Sequence, residues 1–164
     1  MTTKFIEGDW HLDRDFRTDE DIIVTGDIIS SNNNQQEQEQ KQLINLGSDR
    51  IINAGSISGD NIRISASYIR ANNLRVYDIY AGAINAVDIY ASGNVDAIGL
   101  ISAHTLDAND ISAPLIDAYL INANNIRADF IICQDRILKK AGESKTSAKV
   151  FITNKKNLEK KNWK

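Results

Sequence analysis

The chain has 164 residues, 19 basic and 22 acidic, a length that fits one ordinary domain and a net charge of -3 that singles out no class of partner. It contains no run of about 18 apolar residues, so no bilayer-spanning helix is expected, and its first nine residues lack the basic-then-apolar order of a secretory signal. One cysteine, Cys133, excludes an internal disulfide framework and makes a reducing, cytoplasmic setting the expectation.

In chain order, residues 1–21 hold Phe5, Trp10, Leu12 and Phe16 among charges. They predict an N-terminal cap with Trp10 lying across the first coil, because natural proteins cover open β edges. Faint echoes of a repeat appear at Val24 with Gly26 and at Ile29. Residues 30–42, SSNNNQQEQEQKQ, are polar and of low complexity, and predict a mobile loop extruded from a corner.

A five-residue repeat dominates the chain from Ile52 to Cys133, and residues 22–137 are read as one solenoid. A large aliphatic recurs with a small residue two places later: Ile52 with Ala54, Ile57 with Gly59, and then Ile69 with Ala71. Leu74, Ile79, Ile84 and Ile89 continue it, and Val95 and Ile101 come at six-residue steps. The run is strictest at Ile101, Leu106, Ile111, Ile116, Ile121, Ile126 and Ile131. Their small partners are Ala103, Ala108, Ala113, Ala118, Ala123, Ala128 and Cys133.

Period five is neither helical nor that of a continuous strand. Residues two apart share one face of an extended piece, so the aliphatic and the alanine point inward together. Isoleucine suits strands and asparagine and aspartate suit corners. The prediction is an all-β fold, a single-stranded β-solenoid with an isoleucine–alanine core ladder. Four pentads, about 20 residues, are expected to close a roughly square coil, with coils stacking at about 4.8 Å.

The stretch from Ala108, ANDIS APLID AYLIN ANNIR ADFII, resembles the pentapeptide-repeat family, whose motif places alanine, then aspartate or asparagine, then leucine or phenylalanine. The resemblance implies a right-handed quadrilateral β-helix. The phase differs, since the family's alanine precedes its large apolar residue by two and here it follows by two. Only Ala128-Asp129-Phe130 reads like the family motif directly. The chain is also similar to bacterial proteins built from INAxDI-type pentads, with Ile84-Asn85-Ala86-Val87-Asp88-Ile89 as the clearest copy.

Residues 138–164 form a basic cap or tail, with nine lysines against two glutamates, leaving an acidic body of ten basic and twenty acidic residues. Residues 147–152 suit a strand or a helix start, and residues 154–164 predict a short helix presenting Leu158. Lys155, Lys156, Lys160 and Lys161 are the candidate basic tail contacts, nucleic acid being their sharper partner. The apolar corner residues Leu115, Leu120 and Phe130 are expected to receive this tail or to form a dimer contact.

Catalytic chemistry finds few ingredients. His11 and His104 are the two histidines, and with one cysteine they cannot supply a metal site, so no cofactor is expected. Asp88, Asp96, Asp107, Asp110 and Asp117 read as corner residues rather than paired acids. Ser102, His104 and Asp107 form a triad in composition only. Cys133 reads as a small buried thiol. Arg63, Arg70, Arg75, Tyr80 and Tyr90 are the candidate interaction surface, since arginine and tyrosine concentrate at interfaces. On a square coil Arg70 and Tyr90 would be neighbours. The expected function is a non-catalytic scaffold or protein-binding module that self-associates, with a homodimer as candidate partner and no membrane. The alternatives are a DNA-mimicking regulator of a DNA topoisomerase, as the pentapeptide resemblance implies, and a polymer-forming structural β-helix.

Overall fold

Short extended segments pair side by side, all in parallel, throughout a computed structural model that describes residues 2–30, 43–139 and 146–152. The protein is an all-β solenoid of about eight turns spaced about 16 residues apart. In the most regular part each residue of Arg63–Val76 lies beside the residue fifteen later, as Ile64 beside Ile79 and Ile69 beside Ile84. A turn therefore holds three pentads, not four. The square coil of about 20 residues expected from the repeat is corrected to a triangular one.

The triangle has three walls. The first stacks Ile22, Ile52, Ile69, Ile84, Ile101, Ile116 and Ile131. The second stacks Ile28, Ile57, Leu74, Ile89, Leu106 and Ile121. The third stacks Leu46, Ile64, Ile79, Val95, Ile111 and Ile126. All are buried, and the alanines beside them nearly so, except Ala97 and Ala103, which are half-buried against the same core. Each fully buried isoleucine contributes about 1.5–3 kcal/mol of transfer free energy, which offsets the entropy of fixing its strand.

The six-residue steps in the repeat have a local explanation. The register rises from fifteen to sixteen at Val95, beside Ile79, and to seventeen at Ile101, beside Ile84. The added residue is absorbed at a corner without disturbing the inward stack. Ile98, 84 % exposed, marks one such extrusion.

At the N-terminal end, Thr3–Ile6, Trp10–Leu12 and Phe16–Thr18 pair in parallel with the next turn. The segment read as a cap is thus itself the first coil, and its inward positions do the capping. Trp10 stacks on Ile28 and Phe16 on Leu46, with the two rings edge to face at 4.9 Å. The Lys4 ammonium stands 5.9 Å from the Trp10 ring and 5.0 Å from that of Phe16, closing the apolar end with a charge. At the other end Thr146–Ile152 pairs in parallel with Asn125–Lys139, so residues 147–152 are strand and extend the stack. The polar insertion is described only at Ser30, which belongs to a strand and is buried with its hydroxyl 2.9 Å from Asn61 Oδ1. Residues 31–42, the expected tail helix, and Lys155, Lys156, Lys160 and Lys161 lie outside the described residues.

Candidate functional site

Outward side chains form straight columns because the register is held from coil to coil, so function on this fold is a matter of which columns share a wall. The candidate residues divide among all three walls. Arg63 and Tyr80 belong to the third, Arg75, Tyr90 and Leu120 to the second, and Arg70, Leu115 and Phe130 to the first. The triangular turn also corrects the expected Arg70–Tyr90 contact: Arg70 lies beside Asn85, and Tyr90 beside Arg75. One turn, Ile62–Val76, therefore carries an arginine on every wall.

Most of these cations are engaged within the chain. Arg63 donates to Asp78 and lies 5.9 Å from the Tyr80 ring, and Arg75 Nε is 3.6 Å from Asp60. Outward carboxylates are matched to amides one coil away: the Asn122 side chain donates to Asp107 at 2.9 Å, and that of Asn125 to Asp110 at 2.7 Å. Coil-to-coil pairing thus satisfies residues that look like simple corner formers in the sequence.

Chemical constellations are not assembled. His104 sits exposed at a corner, stacked on Tyr119 with ring centroids 4.8 Å apart, and its Nδ1 is 3.8 Å from Asp88. Asp107, the triad candidate, faces Asn122 instead, and Ser102 lies on another wall. Among the described residues no group of His, Cys, Asp or Glu is placed to hold a metal. Cys133 is fully buried, its Sγ 3.4 Å from the Tyr119 carbonyl, and burial pushes its thiol pKa up, which opposes nucleophilic use. Burial likewise raises the Asp96 carboxyl, reinforced by Asp78 and Asp110, in a recess lined by Tyr80, Gly82 and Ile98.

The first wall differs from the other two. Just ahead of each inward isoleucine from Ile52 to Ile131 stands an outward residue, and these form the column Ile51, Tyr68, Ala83, Leu100, Leu115 and Phe130, with Asp21 ahead of Ile22 at its N-terminal end. Ile51, Leu100 and Phe130 are 39 %, 38 % and 46 % exposed. Beside it runs the column Asn53, Arg70, Asn85, Ser102, Asp117 and Ile132. A stripe of apolar groups spanning six coils, about 24 Å, borders a column with one cation, Arg70, and one anion, Asp117. Leu115 and Phe130 are visible as apolar breaks in the sequence. Ile51 and Leu100 are missed there because each looks isolated until a turn length aligns them.

The fold and this wall define a class of architecture, a triangular parallel β-solenoid presenting three flat outward faces. Comparison with protein-family models, curated proteins and solved structures finds no match for the chain. No helix among the described residues is long and apolar enough to cross a membrane.

Proposed function

We propose that this chain is a non-catalytic scaffold, a short β-solenoid rod that binds protein through its outward walls and associates with itself, in a cytoplasmic setting. The continuous apolar column of the first wall carries the reading. Contiguous exposed apolar surface is rare on solitary soluble proteins and marks association sites. Surface recognition, rather than bond-making chemistry, is what flat walls of aligned side chains support best.

End-to-end polymerisation draws less support, because Trp10 and Phe16 fill the N-terminal end and Lys4 places a charge over it. Duplex mimicry, suggested by the pentapeptide resemblance, calls for a continuous negative surface. The turn with an arginine on each wall interrupts it. Sedimentation equilibrium over a wide concentration range tests the scaffold reading: the expected result is reversible self-association at about micromolar to tens of micromolar. A chain that stays monomeric up to its solubility limit argues against it.

A further inference from the structure

Across the six coils from Ile52 to Ile131, two of the twelve outward positions in the paired columns of the first wall are ionised. The coil of Ile22 adds Asp21, which Arg50 holds in an ion pair. Arg70 stands on the second of the six coils and Asp117 on the fifth. We infer that the first wall is a self-complementary interface. Through it two copies of the chain pack face to face and antiparallel, about a two-fold axis between the coils of Ala83 and Leu100. This rests on the scaffold reading and names its partner as a second copy of the chain.

A two-fold interface requires that if one residue meets a second, the second meets the first. Reversal about the stated axis sets each Arg70 opposite the other copy's Asp117, so one operation forms two opposite-charge contacts. In the apolar column the same operation sets Leu100 against Ala83, a large side chain where its partner is small. Tyr68 then meets Leu115, and Asn85 meets Ser102 in the polar column. A parallel two-fold, its axis along the rod between the columns, would instead exchange the columns and set Arg70 against Tyr68 and Asp117 against Leu115, with no charge matched. Within one chain the two ions lie three coils apart, about 14 Å, too far to neutralise each other. Neither takes part in an ion pair among the described residues.

The other walls gain less from the same operation. Reversing the second wall about its centre sets Asp88 against Asn73, Asp107 against Ser58 and Arg75 against Tyr90, with no opposite-charge contact. Reversing the third sets Arg63 against Asp110, but both are already engaged within the chain, Arg63 by Asp78 and Asp110 by the Asn125 amide. The first wall's patch is about 24 Å long and one short strand wide, below the roughly 800 Å² per partner of a standard interface. Association is therefore weak and reversible.

The test is sedimentation equilibrium of the full chain with Arg70→Asp, Asp117→Arg, the double exchange, Leu100→Glu, and Arg75→Asp. The last makes the same charge change on the second wall. Each single change at 70 or 117 is expected to weaken dimerisation by about tenfold or more, and the double exchange to return it to within about threefold of wild type. Leu100→Glu abolishes the dimer, and Arg75→Asp leaves it within about threefold. Unchanged far-UV circular dichroism and urea midpoints show that each variant is folded. Single exchanges without effect, or a double exchange that does not recover, overturn this interface while self-association through another surface keeps the scaffold reading. A wild-type chain that never associates overturns both.

Discussion

Arg63 and Asp78 face one another across a single rung of the third wall, Nη2 2.9 Å and Nε 3.1 Å from the same carboxylate oxygen. The second oxygen accepts the Asn94 backbone N–H at 2.8 Å, so one buried carboxylate ties three successive coils. It holds the ladder where the chain enters the turn with the first extra residue.

Asp78→Ala removes the acceptor for both partners and leaves the Asn94 N–H unsatisfied. The expected cost is about 2–3 kcal/mol, with Asp78→Asn costing about 1 kcal/mol less because its carbonyl still accepts one bond. Urea unfolding followed by circular dichroism measures both, and equal losses for the two variants would show that the charge alone matters.

Gly82 sits at the corner between the third and first walls, where an added Cβ would fall directly onto the Ser67 carbonyl. Gly82→Ala must push two coils apart locally and is expected to cost about 1–3 kcal/mol. At Gly99, one coil on, the nearest atom to an added Cβ is the Gly82 carbonyl oxygen at 3.0 Å, so Gly99→Ala should cost less. Thermal midpoints of the two variants give the order, and the reverse order would contradict this corner packing.

Asp96 and Asp15 respond to pH in opposite directions. Burial, then the negative neighbours Asp78 and Asp110, raises the Asp96 carboxyl above its unfolded value, so its ionised form weakens the fold at neutral pH. Asp96→Asn should therefore raise the urea midpoint at pH 7, and the gain should vanish below the ordinary carboxylate range, where both states of the wild type are protonated. Asp15 accepts the Asn45 backbone N–H at 2.8 Å and its side-chain amide at 3.0 Å, which lowers its pKa. Its contribution is present above the usual carboxylate pKa and is lost as pH falls through the lowered one. Asp15→Asn should accordingly narrow the difference between midpoints at pH 7 and at acid pH. Midpoint-against-pH curves for both variants check the signs.

Cys133 lies in register with Ala118 and Ile152 and is fully buried, and burial raises its pKa. A thiol reagent at about pH 8 should find it unreactive in the folded chain and fully reactive in denaturant. A fast labelling phase under native conditions would show that the C-terminal coils open by themselves.

The pentad was enough to identify the inward ladder residue by residue, from Ile52 with Ala54 to Ile131 with Cys133, because side chains two apart on an extended segment must share a face. It was also enough to read the stacking of coil on coil. Turn length was not legible, since three pentads and four satisfy the same local rule. The closed turn holds three inward aliphatics, such as Ile64, Ile69 and Leu74, and all three are fully buried. Turn length decides every outward neighbour. It separates Arg70 from Tyr90, scatters the arginines over three walls, and aligns Ile51, Tyr68 and Leu100 with Leu115 and Phe130. The chain's own order of residues therefore determined the core, a local property of each pentad. The tertiary structure alone decided the surface, because a wall is made of residues that only the closed turn brings together.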